Sequence, residues 1–342
     1  MKVGILTGGG DCPGLNAAIR AAVINAEKHG IEMIGLKKGW AGLLNAWGFP
    51  LTSEDVECML KEGGTMLGSS RTNPYKTPEG EAQAKESFKK LGLDALIAIG
   101  GEDTLGVANK LSKAGVPTVA IPKTIDKDLS ATDSTIGFNT AVTIATDSLD
   151  RVFTTMRSHE RVGVVEIMGR HAGWMTLVSG IAAGANFILI PEEPFDIEEV
   201  CEVFRKRKAR GKPYGIVAIA EGAMPKDAKE FVTSTEELDD FGHVRLGGIG
   251  KKLAKEIEKR TGIESRATVL GHIQRGGTPT VYDRVMGTRL GYKAIEMVLA
   301  KEFGMLVAYR NEEAVAVPLE EAVGKLNTVS KEEYAVAKAF FR

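Results

Sequence analysis

The chain has 342 residues, with 44 Lys and Arg against 45 Asp and Glu, a formal net charge of −1. That balance gives no overall basic field to hold nucleic acid or an anionic membrane, and 43% hydrophobic with 26% charged residues excludes a disordered or fibrous chain. No run of roughly eighteen apolar residues offers a membrane span, and Cys12, Cys58 and Cys201 fit neither a disulfide framework nor a zinc site, so a cytoplasmic protein with reduced thiols is expected.

Residues 3–6 are a short apolar run, expected as a covered strand, followed by a loop from Gly8 to Gly14 and a helix over 15–28. Strands are predicted at 31–37, within 91–99 and at 116–121, with Gly100, Gly101 and a helix over 105–114 between the last two. The second half continues in the same way, with helix 140–156, strand 162–167, helix 172–183, strand 187–190, helix 197–210 and strand 214–220. Residues 223–242 are polar and acidic and read as an exposed excursion. Helix 250–261, strand 267–270 and helix 283–300 follow. Strand, glycine turn and helix in repetition is the pattern of an α/β chain whose parallel sheet is covered on both faces.

In an open α/β sheet, ligands bind outside the carboxyl ends of the strands, so the loops after each strand are where chemistry is expected. The first holds Gly8, Gly9, Gly10, Asp11, Pro13 and Gly14. Glycines let backbone N–H groups face an anion, and a following helix favours negative charge. Phosphate handling is one reading of this loop and a structural turn the other. It lacks the Lys-Ser/Thr of a P-loop and the spacing of a dinucleotide fingerprint. Glu102, Asp103, Asp126 and Asp128 crowd carboxylates into two further post-strand loops. Clustered carboxylates repel unless a cation or a proton intervenes. Mg²⁺ beside phosphates would relieve them, and Lys123 would add positive charge; a solvated acidic loop is the plain alternative. Arg71, Arg161, Arg170, Arg266, His272 and Arg275 are the cationic set, suited to phosphate oxygens, each otherwise a surface ion-pair partner. Clustered Asp, Mg²⁺ and several Arg on an α/β fold fit phosphoryl transfer.

In this order, Gly8 to Asn16, Gly100 to Thr104, Pro122 to Asp128, Met168-Gly169-Arg170 and Arg266 to Gly277 resemble the 6-phosphofructokinase family over nearly the whole chain. The resemblance implies two similar three-layer α/β/α (Rossmann-like) domains with the active site in the cleft between them. Residues 1–138 with 273–322 would be the phosphoryl-donor domain, and 139–272 with 323–342 the fructose 6-phosphate domain. It implies Asp126 as the base on the 1-hydroxyl of fructose 6-phosphate, Thr124 holding the transferred phosphoryl or the sugar hydroxyl, and Glu102 as the Mg²⁺-associated carboxylate. Asp128 would support them, and Arg170 would stabilise phosphoryl charge. Met168, Gly169 and Glu221 would hold the sugar. His272 and Arg275 would bind its 6-phosphate, with Arg161 and Arg266 arriving from a neighbouring subunit of a homotetramer or homodimer. Gly10 and Arg71 would lie on the donor side.

Asp103 and Lys123 bear on the donor. ATP-dependent members of the family have glycine at the first position and commonly at the second, whereas pyrophosphate-dependent members have aspartate and lysine. A carboxylate at Asp103 would repel the α-phosphate of ATP, a group that pyrophosphate lacks, and Lys123 would neutralise pyrophosphate's compact charge. The chain therefore reads as a pyrophosphate-using member. An ATP-dependent member and a kinase acting on sedoheptulose 7-phosphate are the alternatives. Lys127 departs from the family's usual Asn between the two aspartates, and Glu102 from its frequent Asp.

Overall fold

Fourteen strands lie among the described residues, which are all but Lys229, Asp239, Asp240 and His243 in this computed structural model, and short runs of buried aliphatic residues set the central ones. The strands are β1 (Lys2–Thr7), β2 (Glu32–Leu36), β3 (Gly48–Leu51), β4 (Ala95–Gly100), β5 (Thr118–Thr124), β6 (Ile136–Gly137), β7 (Val162–Ile167), β8 (Phe187–Leu189), β9 (Gly215–Ala220), β10 (Thr233–Leu238), β11 (Val244–Leu246), β12 (Ser265–Val269), β13 (Met305–Arg310) and β14 (Glu313–Pro318). The helices are α1 (Leu15–Lys28), α2 (Trp40–Leu44), α3 (Ser53–Val56), α4 (Gly80–Lys90), α5 (Glu102–Lys113), α6 (Phe138–Ser158), α7 (Trp174–Ala182), α8 (Ile197–Ala209), α9 (Ile249–Thr261), α10 (Val281–Leu299) and α11 (Lys331–Lys338).

Two sheets carry the fold. The larger runs β14-β13-β5-β4-β1-β2-β3, with β6 beside β5, and the smaller runs β12-β7-β9-β8. Successive side chains of a strand leave by opposite faces, and the packing shows it. Val3, Ile5, Ile97 and Ile99 join one apolar cluster with α1 and α10, while Leu6, Leu96 and Ala98 join another with α2 and α5. In the smaller sheet Val165, Ile167 and Ile216 face α6 and α7, whereas Val164, Val217 and Ile219 face α8 and α9. Each sheet is thus the middle layer of three, in an α/β chain with two sheet-containing regions flanked by helices.

The smaller sheet is parallel throughout. The larger departs from the expected parallel sheet at its edges, where β2–β3 and β13–β14 pair antiparallel. Those outer strands are partly exposed and carry Pro50 and Pro318, features suited to an edge and weak as a sequence signal. The acidic excursion also contains structure: β10 and β11 form an antiparallel hairpin. β10 is polar along nearly all its length and β11 has three residues, too few for alternation to announce it. Lys229, Asp239 and Asp240 of that excursion lie outside the described residues.

Two packing details position the site. At Gly291 of α10 a Cβ would lie 2.1 Å from the Ala18 carbonyl oxygen, so glycine is what lets α10 lie against α1. Asp283, buried in the first turn of α10, accepts from the Gly137 and Thr140 backbone N–H groups at 3.0 and 2.8 Å and from the Thr140 hydroxyl at 2.5 Å. It pins the start of α6, and with it the end of β5–β6, against α10. No helix of the described residues is long and apolar enough to cross a membrane.

Candidate active site

Loops at the carboxyl ends of β1, β4, β5 and β7 meet over one cavity of about 50 Å³. Gly10, Arg71, Glu102, Asp103, Lys123, Thr124, Asp126, Asp128, Arg170 and Arg275 all line it, together with Gly9, Gly101, Thr104 and Phe241. Residues from distant parts of the chain therefore share one cavity, as the post-strand positions lead one to expect.

The glycine loop after β1 is held from several sides. Gly9 sits at φ +76°, open to glycine and costly for other residues. The Gly9, Gly10 and Asp11 carbonyl oxygens accept from the Ser69 hydroxyl, the Lys123 ammonium and Arg275 Nη1, the last at 3.1 Å. Arg275 is thus drawn to the glycine loop, while His272, three residues earlier, is exposed and outside the cavity. Lys123 is 3% exposed, and burial pulls its ammonium down to about 8. Cys12 is buried with its thiol 3.3 Å from the Ile136 carbonyl, and burial pushes it up to about 12, so it stays a thiol.

The carboxylates form the opposite wall. Thr124 Oγ1 accepts from the Asp126 backbone N–H at 3.1 Å, and the Thr124 carbonyl accepts from the Thr135 hydroxyl at 2.7 Å. Asp126 and Asp128 each keep one buried oxygen, Oδ1, without a hydrogen-bond partner. Burial, then the neighbouring Asp126 charge, pushes Asp128 up to about 7. A proton on Asp128 spares the pair from repulsion when no cation is near. Arg170 lies 3.9 Å from Asp103 and joins the two sides of the cavity. It occupies the left-handed region at φ +50°. Glu221 steadies that backbone by accepting from the Gly169 and Arg170 N–H groups at 3.3 and 3.1 Å. Burial raises Glu221 to about 7.

Lys127, between the two aspartates, turns away from them. Its ammonium lies 4.6 Å from the Trp174 ring centroid and 5.5 Å from that of Phe138. Its backbone, at φ +55°, is clasped by Asn327, whose side chain donates to the Lys127 carbonyl at 2.9 Å and whose N–H donates to the Asp128 carbonyl at 2.8 Å. Trp174 Nε1 donates to the Asn327 carbonyl at 3.0 Å. Asn327 and Gln274, whose Oε1 accepts from the Met168 N–H at 3.0 Å, were not singled out from sequence. Asn327 is a lone amide in an unremarkable stretch, whereas Gln274 sits inside the Arg266 to Gly277 motif, beside the Arg275 that drew the attention.

Arg161 and Arg266 stay outside the cavity. Arg161 precedes β7 and Arg266 is the second residue of β12, so both stand at the opposite end of the smaller sheet from Met168 and Arg170. Both pair with Glu264, Arg161 at 2.7 Å.

Among the described residues no ready-made group of three His, Cys, Asp or Glu could hold a metal ion. The Oδ1 atoms of Asp126 and Asp128, buried without a hydrogen-bond partner, are nonetheless hard oxygen donors. That suits Mg²⁺, which keeps waters and takes one or two carboxylates beside substrate phosphates.

Comparison with known proteins supplies the context. The phosphofructokinase family model matches residues 2–298. A pyrophosphate–fructose 6-phosphate 1-phosphotransferase of Amycolatopsis methanolica is 55% identical over 343 residues, covering all of both chains. An ATP-dependent 6-phosphofructokinase 2 of Streptomyces coelicolor is 48% identical, again over the full length of both. Among solved structures, the phosphofructokinase of Pichia pastoris in the T-state superposes with a TM-score of 0.83 at 29% identity. It covers 99% of this chain, which spans 36% of the yeast chain.

Proposed function

The chain belongs to the phosphofructokinase family, and on that premise we infer that it moves a phosphoryl group from pyrophosphate to the 1-hydroxyl of D-fructose 6-phosphate. The products are D-fructose 1,6-bisphosphate and phosphate, and the reaction is reversible, serving glycolysis and its reverse. One observation carries the choice of donor: Asp103 and Lys123 line the same small cavity as Asp126. A carboxylate there opposes the extra phosphate and nucleoside of ATP, and a buried ammonium favours a compact anion. The identity with the Amycolatopsis methanolica enzyme supports the same donor.

In this reading Asp126 takes the proton from the sugar's 1-hydroxyl. The sugar oxygen bonds to phosphorus, the bridging P–O bond breaks, and phosphate leaves toward Lys123, Gly10 and Arg71. Thr124 and Arg170 hold the transferring group. Met168, Gly169 and Glu221 hold the sugar. His272, with Arg161 and Arg266 of a neighbouring copy, takes the 6-phosphate. Arg275, which donates to the glycine loop, serves whichever phosphate lies next to it. Glu102, Asp126 and Asp128 would hold Mg²⁺, which supplies charge neutralisation at the donor phosphates. Residues 1–138 with 273–322 form the donor unit and 139–272 with 323–342 the sugar unit. The working form is a homotetramer or homodimer in the cytoplasm.

A donor comparison tests this. Purified protein, Mg²⁺ and fructose 6-phosphate are given pyrophosphate or ATP, and bisphosphate formation is followed. Pyrophosphate is expected to win by at least about tenfold in kcat/KM, and Asp103→Gly to narrow the gap. A preference for ATP in the unaltered protein overturns the donor assignment and leaves the acceptor chemistry standing.

A further inference from the structure

The excursion after β9 has both roots on the smaller sheet's side. On the way out, Phe195 and Met224 pair through backbone at 3.0 Å, and the Lys226 N–H donates to the Phe195 carbonyl at 2.8 Å. On the way back, the buried Glu166 of β7 accepts from the Gly248 and Gly250 N–H groups at 2.9 and 2.8 Å. Between these roots β10 and β11 pair, and Phe241 stands in the turn that joins them. Phe241 does not stay with its own sheet. It lines the cavity of Asp103, Lys123 and Asp126, and it packs against the apolar cluster that covers the larger sheet beside α2 and α5. Lower in the same excursion, the Phe231 ring lies 5.2 Å from that of His171, next to Arg170. The hairpin therefore crosses from one side of the cleft to the other.

Among the described residues that line the cavity, Phe241 is the one hydrocarbon side chain; the rest are charged, hydroxylic or glycine. A phenyl ring offers a phosphate neither a hydrogen bond nor a positive charge. What it can do is exclude water. Water competes with the sugar hydroxyl for the same phosphorus: its oxygen bonds to phosphorus, the bridging P–O bond breaks, phosphate leaves and Asp126 takes the proton. We propose that Phe241 is a cap on the donor pocket, carried across the cleft by the β10–β11 hairpin, that keeps water from the phosphoryl group and so couples pyrophosphate cleavage to transfer. The cap rests on the pyrophosphate-transfer reading above.

The unaltered protein, Phe241→Ala and Phe241→Leu are compared with Mg²⁺ and pyrophosphate. Bisphosphate is measured with fructose 6-phosphate present and phosphate release with it omitted. In Phe241→Ala the ratio of hydrolysis to transfer is expected to rise about tenfold or more, and Phe241→Leu to recover much of the coupling. A ratio unchanged in Phe241→Ala, in a protein that melts like the unaltered one, overturns the cap. Should Phe241→Ala not fold, Phe241→Gln, which keeps the reach of the side chain without its dry ring, decides: a rise in its ratio supports the cap and no change overturns it. If the unaltered protein makes bisphosphate only from ATP, the donor reading falls instead, and the same ratio read with ATP decides the cap.

Discussion

Asp128 and Glu221 set a cost that the protein carries until its ligands arrive. Burial raises each to about 7, so in the folded chain they hold protons to a higher pH than in the unfolded chain. Between about pH 4 and 7 the unfolded state binds fewer protons than the native one, so stability falls as pH rises through that window. Urea melts of the ligand-free protein at pH 5 and pH 8 are expected to show the loss, on the order of a few kcal/mol. Asp128→Asn should flatten the profile, and Mg²⁺ should recover part of the stability at pH 8. A flat profile in the unaltered protein would remove the burial argument. Lys127 does not relieve this cost. Its ammonium is spent on the rings of Trp174 and Phe138, so the departure from the usual Asn anchors the loop's shape and leaves the pair's charge to a proton or a cation.

Between elements, the strongest constraint on the site is the junction of α6 and α10. Asp283 takes hydrogen bonds from Gly137 and Thr140, while Thr280, the cap of α10, donates from its N–H to the Thr140 hydroxyl at 3.0 Å and from its own hydroxyl to Asn139 at 2.8 Å. Each helix start is completed by the other. Asp283→Ala leaves buried N–H groups unpaired and is expected to cost about 3 kcal/mol in a denaturant melt. A loss below about 0.5 kcal/mol would show that water replaces the carboxylate. None of this was legible in the sequence, because the partners lie more than a hundred residues apart. Helix α1 and strand β7 were legible to the residue, since an uninterrupted apolar stripe or run marks them. The edge strand β14 and α11 were missed, because half-exposed elements carry a diluted pattern, and β13 was missed although its buried run over 306–309 is apolar. For the site, the post-strand loops held nine of the ten candidate residues that line the cavity, and Arg71 came from the cationic set. Phe241 escaped because it sits in an acidic stretch whose only apparent property was polarity.

For the whole molecule, the decisive residues are those left out of the cavity. Arg161 and Arg266 stand at the far end of the smaller sheet from Arg170, a strand's length away, and pair with Glu264. From there they do not line their own copy's cavity, so the function proposed above requires them to meet the sugar phosphate in another copy's cleft. Val269, 44% exposed at the end of β12, and Ile273, 66% exposed just after it, provide hydrocarbon surface where a copy could seat. A symmetric pair would then build each site from Asp126 of one copy and Arg266 of the other. Asp126→Ser alone should lower turnover by roughly 10²–10⁴-fold through loss of the base, and Arg266→Ala alone should raise the KM for fructose 6-phosphate. When the two variants are unfolded, mixed in equal amounts and refolded, half the pairs are mixed. Each mixed pair holds one site with neither substitution and one with both. Activity at low fructose 6-phosphate should therefore return to about a quarter of the unaltered level. If each chain kept its own complete site, no mixing could create an intact one, and the blend would show only the mean of the two variants.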